Sequence, residues 1–129
     1  MISYSGNTLA YIGDAIFELK IREYLLKSGI TKMDDLHKTA IKYTSAKMQS
    51  VVIKELINSL SEEEIDYYKR GRNATASHKP KSSSLKEYHE SSGLEALLGA
   101  IFLKNDEKRL NELIDLIIIL SNKEISENR

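Results

Sequence analysis

Two acids stand where acids are costly to desolvate. Asp14 falls in "TLAYIGDAIFELKIREYLL", Thr8–Leu26, and Glu95 in "GLEALLGAIFLK", Gly93–Lys104. At about 100° per residue, Lys20, Glu23 and Lys27 share the solvent sector of the first stretch, and Asp14 falls nearly opposite, between Ile21 and Leu25. The second stretch is apolar all round except for Glu95, and a helix of that kind is normally buried on every side. Both acids are therefore expected to be buried. A carboxylate among Ile, Leu and Phe needs partners, a proton or a metal ion. Each is followed by alanine, and Ala96, Gly99 and Ala100 are small enough to admit another helix backbone. One reading is a shared site at a helix crossing, where a hard divalent cation relieves the repulsion between two carboxylates. The other is two separate acids, each satisfied by its own neighbours.

The elements that must position them read as helices. With one proline, six glycines and little β-type alternation, the chain is expected to be all-α. The first helix spans about Thr8 to Lys27, with Gly29 as a left-handed stop. Thr31 and Asp34 have capping-box spacing before the second. "TSAKMQSVVIKELINSL" supplies the third, with Met48, Val51, Val52, Leu56 and Leu60 facing the core. Ser61 caps the fourth, which ends near Gly71. Ser84 and Glu87 form a capping-box pair where helix resumes, another helix carries Glu95, and "DEKRLNELIDLIIILSNKE" forms the last. Residues 72–84 read as a basic surface loop and 125–129 as a frayed tail. One domain, 1–129, is expected.

Composition narrows the function. Without cysteine, neither a disulfide framework nor a cysteine-rich zinc site is available. The N-terminal residues lack the pattern of a signal peptide, and "LIDLIIIL" is too short to span a bilayer, so a cytoplasmic location and no membrane partner are expected. Formal net charge is zero, which by itself argues weakly against a polyanion partner. The charge is segregated, however. Lys69, Arg70, Arg72, Lys79, Lys81 and Lys86 follow one another with no acid up to Lys86, while acids gather in "EEEID".

The ordered set "LAYIGDAIFE", "DLHK", "SAKMQ", "KRGRNA", Pro80–Lys81 and "LEALLGAIFL" resembles the catalytic domain of ribonuclease III. It is closest to the bacterial mini-ribonuclease III subfamily, which lacks a separate double-stranded-RNA-binding domain. The resemblance implies a helical endonuclease bundle and a homodimer cutting both strands of duplex RNA. It also implies a Mg²⁺ site, with Mn²⁺ as the alternative ion. The implied substrate is precursor 23S ribosomal RNA, cut at the duplex formed by its ends, with a large-subunit ribosomal protein as a candidate shaper of that duplex. Asp14 and Glu95 correspond to the catalytic metal ligands. Two further acids of full-length ribonuclease III are Ala10 and Ser92 here, as the mini subfamily leads one to expect. The loop "SHKPKSSS" and His89 depart from the subfamily pattern and bear on substrate preference.

Glu18, one turn after Asp14, could reach the metal through water or simply pair with Arg22 at i+4. Lys69, Arg70, Arg72, Asn73, Lys79 and Lys81 are the candidate RNA-binding residues, suited to phosphates and the 2′-hydroxyl-lined minor groove. His37 and His78 read as ordinary packing and loop residues. Tyr11 and Phe17 are expected to contribute to a dimer face. The rival reading is a catalytically silent RNA-binding ribosome-assembly module on the same fold, favoured by Ala10 and Ser92.

Overall fold

Among the described residues, five of the six α-helices begin at a side chain that accepts an otherwise orphaned backbone N–H. Ser5 accepts from Thr8, Ser45 from Met48 and Asp106 from Arg109, while Ser61 and Ser84 form full capping boxes with Glu64 and Glu87. The structure, a computed structural model, describes residues 3–74 and 83–128. It contains α1 (Gly6–Lys27), α2 (Met33–Thr44), α3 (Ala46–Leu56, continued by a 3₁₀ turn Ile57–Ser59), α4 (Glu62–Arg72), α5 (Leu85–Leu103) and α6 (Glu107–Glu127). No strand occurs among the described residues, and the all-α expectation holds.

Three boundaries differ from the sequence expectation. Thr31 does not cap α2: the helix starts at Met33 behind Lys32, which makes no side-chain cap bond, and Asp34 and Asp35 complement the helix dipole from the first turn instead. The helix that Ser84 caps and the one that carries Glu95 are a single uninterrupted α5, because no proline breaks "LKEYHESSGLEALLGAIFL". The expected fraying from residue 125 does not begin there: α6 runs to Glu127, with Ile125 packed on the core. Gly29 does stop α1 in the left-handed region, at φ +97°.

α5 forms the axis of the bundle and packs on α1, α3, α4 and α6. Its Leu94, Ala96, Leu97, Leu98, Ala100 and Ile101 are essentially inaccessible, as an all-round apolar helix requires. Leu9, Phe17, Ile21 and Leu25 of α1 join that core. Phe17 is therefore a core residue at 0% exposure and belongs to no dimer face. On α3 the inward residues are Val52, Ile53 and Leu56, while Met48, Val51 and Leu60 are only half-buried. Away from the α1–α5 crossing, Arg109 clasps buried Glu64 through 2.7 and 2.8 Å bonds and also donates to the Ser59 carbonyl at 2.8 Å. That guanidinium outweighs burial and holds the Glu64 carboxyl below its usual range. It ties α6 to α4. No helix among the described residues is long and apolar enough to cross a membrane.

Candidate active site

The site begins with two glycines. A Cβ on Gly13 would lie 1.6 Å from the Glu95 carbonyl oxygen, and one on Gly99 would lie 2.0 Å from the Leu9 carbonyl oxygen. The α1 and α5 backbones therefore touch, which only glycine at both positions permits. Asp14 follows Gly13 directly, so the crossing brings its carboxylate within hydrogen-bonding reach of Glu95.

Asp14 is exposed, contrary to the expectation of burial. The inward residues of α1 are Gly6, Leu9, Gly13, Phe17, Ile21 and Leu25, mostly four apart. A four-residue step advances about 40° round the helix, so the buried stripe winds along it. Ile21 and Leu25 flank Asp14 on a projection yet lie two to three turns away. At its own level Asp14 stands about 60° from Phe17 and about 100° from Gly13. That puts it on the open flank, beside a partner that is largely covered.

Glu95 is the perturbed acid. Burial, then the neighbouring Asp14 charge, push its carboxyl up to about 8, with a smaller contribution in the same direction from Glu18. A hydrogen bond from Gln49 opposes the shift. Gln49, only 2% exposed, donates from Nε2 to Glu95 Oε2 at 3.2 Å and to the Thr44 carbonyl at 3.0 Å. Gln49 was not singled out by sequence reasoning, although a signal exists. Gln49, Val52, Ile53 and Leu56 occupy i, i+3, i+4 and i+7, so the glutamine heads the true core stripe of α3.

The two acids open onto a cleft of about 490 Å³ whose walls include Asn7, Ala10, Tyr11, Thr44, Ala46, Gln49, Tyr88, Ser91 and Ser92. Ala10 and Ser92 thus leave space on either side of the pair. Among the described residues no group of three or more His, Cys, Asp or Glu converges to hold a metal. A Mg²⁺ ion fits such a site, because it commonly binds through one or two carboxylates and completes its shell with water and substrate phosphate.

Glu18 lies outside the cleft walls and meets Arg22 at 3.8 Å. Of the basic residues, Lys69 and Asn73 are exposed at the end of α4. Arg72 stacks over the Tyr68 ring at 5.6 Å and donates from Nε to Asn73 Oδ1 at 3.2 Å. Gly71 abuts the backbone of Ser92, a cleft residue, so this end of α4 adjoins the cleft. Arg70 turns toward the fold, facing Asp66 at 3.5 Å, the Tyr4 carbonyl at 3.4 Å and the Tyr67 ring. Lys79, Lys81 and His78 lie outside the described residues.

Comparison with known proteins gives the family and the fold. The family profile described as "Ribonuclease III domain" matches residues 7–106. The chain is 42% identical over 107 residues to a mini-ribonuclease 3 of Symbiobacterium thermophilum, covering 83% of this chain and 82% of that protein. It is 40% identical over 121 residues to a mini-ribonuclease 3 of Clostridium tetani, covering 93% and 80%. A crystal structure of a Fusobacterium nucleatum protein, 39% identical, superposes with a TM-score of 0.80 over 90% of this chain and 93% of that one.

Proposed function

Because the chain belongs to the ribonuclease III family, in its mini-ribonuclease 3 branch, and is an endoribonuclease of that type, we propose that it hydrolyses duplex RNA at the Asp14–Glu95 pair with Mg²⁺. The observation carrying this is two carboxylates from different helices, brought together by a glycine crossing, at the floor of an open cleft. A bound Mg²⁺ would supply charge neutralisation on the phosphate and a water acidified enough to attack it.

The remaining work falls to the chain. Asp14, already open to solvent, offers its carboxylate directly. Glu95 must first surrender the proton that burial and Asp14 favour at neutral pH. Small Ala10 and Ser92 leave room for phosphate oxygens and water where bulkier acids would crowd them. Glu18, outside the cleft walls and facing Arg22, still bears on Glu95 by its charge and would reach a bound metal only through water. Lys69, Arg72 and Asn73 hold backbone phosphates beside the cleft, and the charges of Lys79 and Lys81 add to the affinity for RNA. Arg72 is suited to this because the Tyr68 ring supports its guanidinium plane. Arg70 has a smaller share, its bonds being spent on the fold.

The substrate proposed is precursor 23S ribosomal RNA, at the duplex of its ends, in the cytoplasm, with a large-subunit ribosomal protein shaping that duplex. Family kinship supports this. Purified protein with Mg²⁺ is expected to cut that duplex and leave either strand alone intact, and a chelator should abolish cutting. Binding without cutting would overturn the proposal in favour of a silent module.

A second copy is proposed against the groove between α1 and α2. Leu26 (53%), Met33 (62%) and Ile41 (62%) are large apolar residues left exposed there, and such a patch marks an interface. Light scattering should give the mass of two chains for the wild type and of one for Ile41→Glu. A monomeric wild type would refute this arrangement.

A further inference from the structure

We propose that Gln49 is a positioning residue of this site: its side-chain amide fixes the Glu95 carboxylate so that the carboxylate's other oxygen is left for the metal. The inference rests on the two-carboxylate reading above. Burying a primary amide is unfavourable unless it is hydrogen-bonded, yet Gln49 is 2% exposed. Both of its Nε2 hydrogens are used, on the Thr44 carbonyl and Glu95 Oε2. Its Oε1 is buried with no hydrogen-bond partner. The amide orientation is dictated by those two acceptors, since the reverse flip would set oxygen against oxygen twice.

The chemistry explains the residue type. Two acceptors call for a two-proton donor, which Gln, Lys or Arg could supply. A cationic side chain would neutralise Glu95 and compete with the ion for it, whereas a neutral amide orients the carboxylate and leaves its charge available. The anchor is rigid on both sides. Thr44 is the last residue of α2 and Gln49 lies in the first turn of α3, so the amide joins the α2–α3 corner to α5. Glu95 is thereby held from α3 while Asp14 approaches from α1. Outer-shell partners of this kind commonly change metal affinity or activity by about 10–100-fold when removed.

The test is Mn²⁺ binding without RNA, followed by electron paramagnetic resonance, on the wild type, Gln49→Met and Glu95→Gln. Gln49→Met keeps length and removes the donor. Its Mn²⁺ Kd should rise about 10–100-fold, and its cleavage rate should recover at saturating metal, a split that lost helix packing alone would not produce. An unchanged Kd in Gln49→Met, with binding lost in Glu95→Gln, overturns the role of Gln49 alone. Equal binding by the wild type and Glu95→Gln overturns the two-carboxylate reading beneath it. Should Gln49→Met not fold, the wild-type Gln49 side-chain NH₂ signals decide the matter by NMR. They should exchange slowly with solvent and broaden selectively with Mn²⁺; fast exchange without broadening overturns the inference.

Discussion

Glu95→Gln should abolish cleavage and make the metal-free protein more stable, two effects of opposite sign from one substitution. Activity falls because a bound cation loses one of its two protein carboxylates. If the cation supplies several kcal/mol of transition-state stabilisation, its loss slows cleavage by roughly a thousandfold or more. Stability rises for a separate reason. In the native protein Glu95 is pushed up to about 8, while in the unfolded chain it titrates near the ordinary glutamate value of about 4.3. Between those values the native state holds more protons than the unfolded state, so stability falls as pH rises through the window. By about pH 7.5 the penalty, on the order of a few kcal/mol, is nearly complete. Glutamine imitates the protonated acid: its carbonyl can accept from Gln49 and its NH₂ can donate to Asp14. Thermal unfolding should show a variant whose stability is flat from about pH 5 to pH 8 where the wild type declines. Mg²⁺ should raise the wild-type melting temperature at about pH 7.5 and leave the variant's unchanged. A variant less stable than wild type at that pH would mean that Glu95 is not held against its charge.

Gly13→Ala is the second large effect. A methyl group there would meet the Glu95 carbonyl oxygen at 1.6 Å and the Gly99 backbone nitrogen at 2.9 Å. These are backbone atoms of a helix packed on four others, so no side chain can swing away. Overpacking usually destabilises by about 1–3 kcal/mol and occasionally by more. With backbone on the receiving side, a loss of about 3 kcal/mol or greater is expected in urea unfolding. The alternative to unfolding is separation of α1 from α5, which would carry Asp14 away from Glu95. Any folded fraction should therefore cleave poorly even at saturating metal. Retention of both wild-type stability and activity would show that the helices do not meet as described.

Much of this arrangement was legible before the structure. Asp14 and Glu95 announced themselves as acids in apolar helices, and the small residues around Glu95 foretold a close crossing. Ser61 and the Ser84–Glu87 pair marked helix starts correctly because capping is local chemistry. What failed, besides the Thr31–Asp34 cap, was the reading of where α1 faces over several turns. The winding stripe of α1 exposed Asp14 and buried Phe17, reversing their expected roles. Gln49 escaped notice because a lone polar residue near a helix start normally faces water. Its place at the head of the Val52, Ile53 and Leu56 stripe signals burial, but its two partners, Thr44 and Glu95, lie on other helices and no local pattern names them. The Arg109–Glu64 clasp was hidden in the same way, since its partners lie on different helices.

The account stands most directly on Asp14. A single-turnover assay on duplex RNA at saturating Mg²⁺, comparing the wild type with Asp14→Asn, isolates the carboxylate charge while keeping the side-chain shape. Asp14→Asn should bind the duplex about as tightly as the wild type, since the phosphate contacts lie elsewhere, and cut it at least about a thousandfold more slowly. Cleavage at the wild-type rate would contradict the two-carboxylate site.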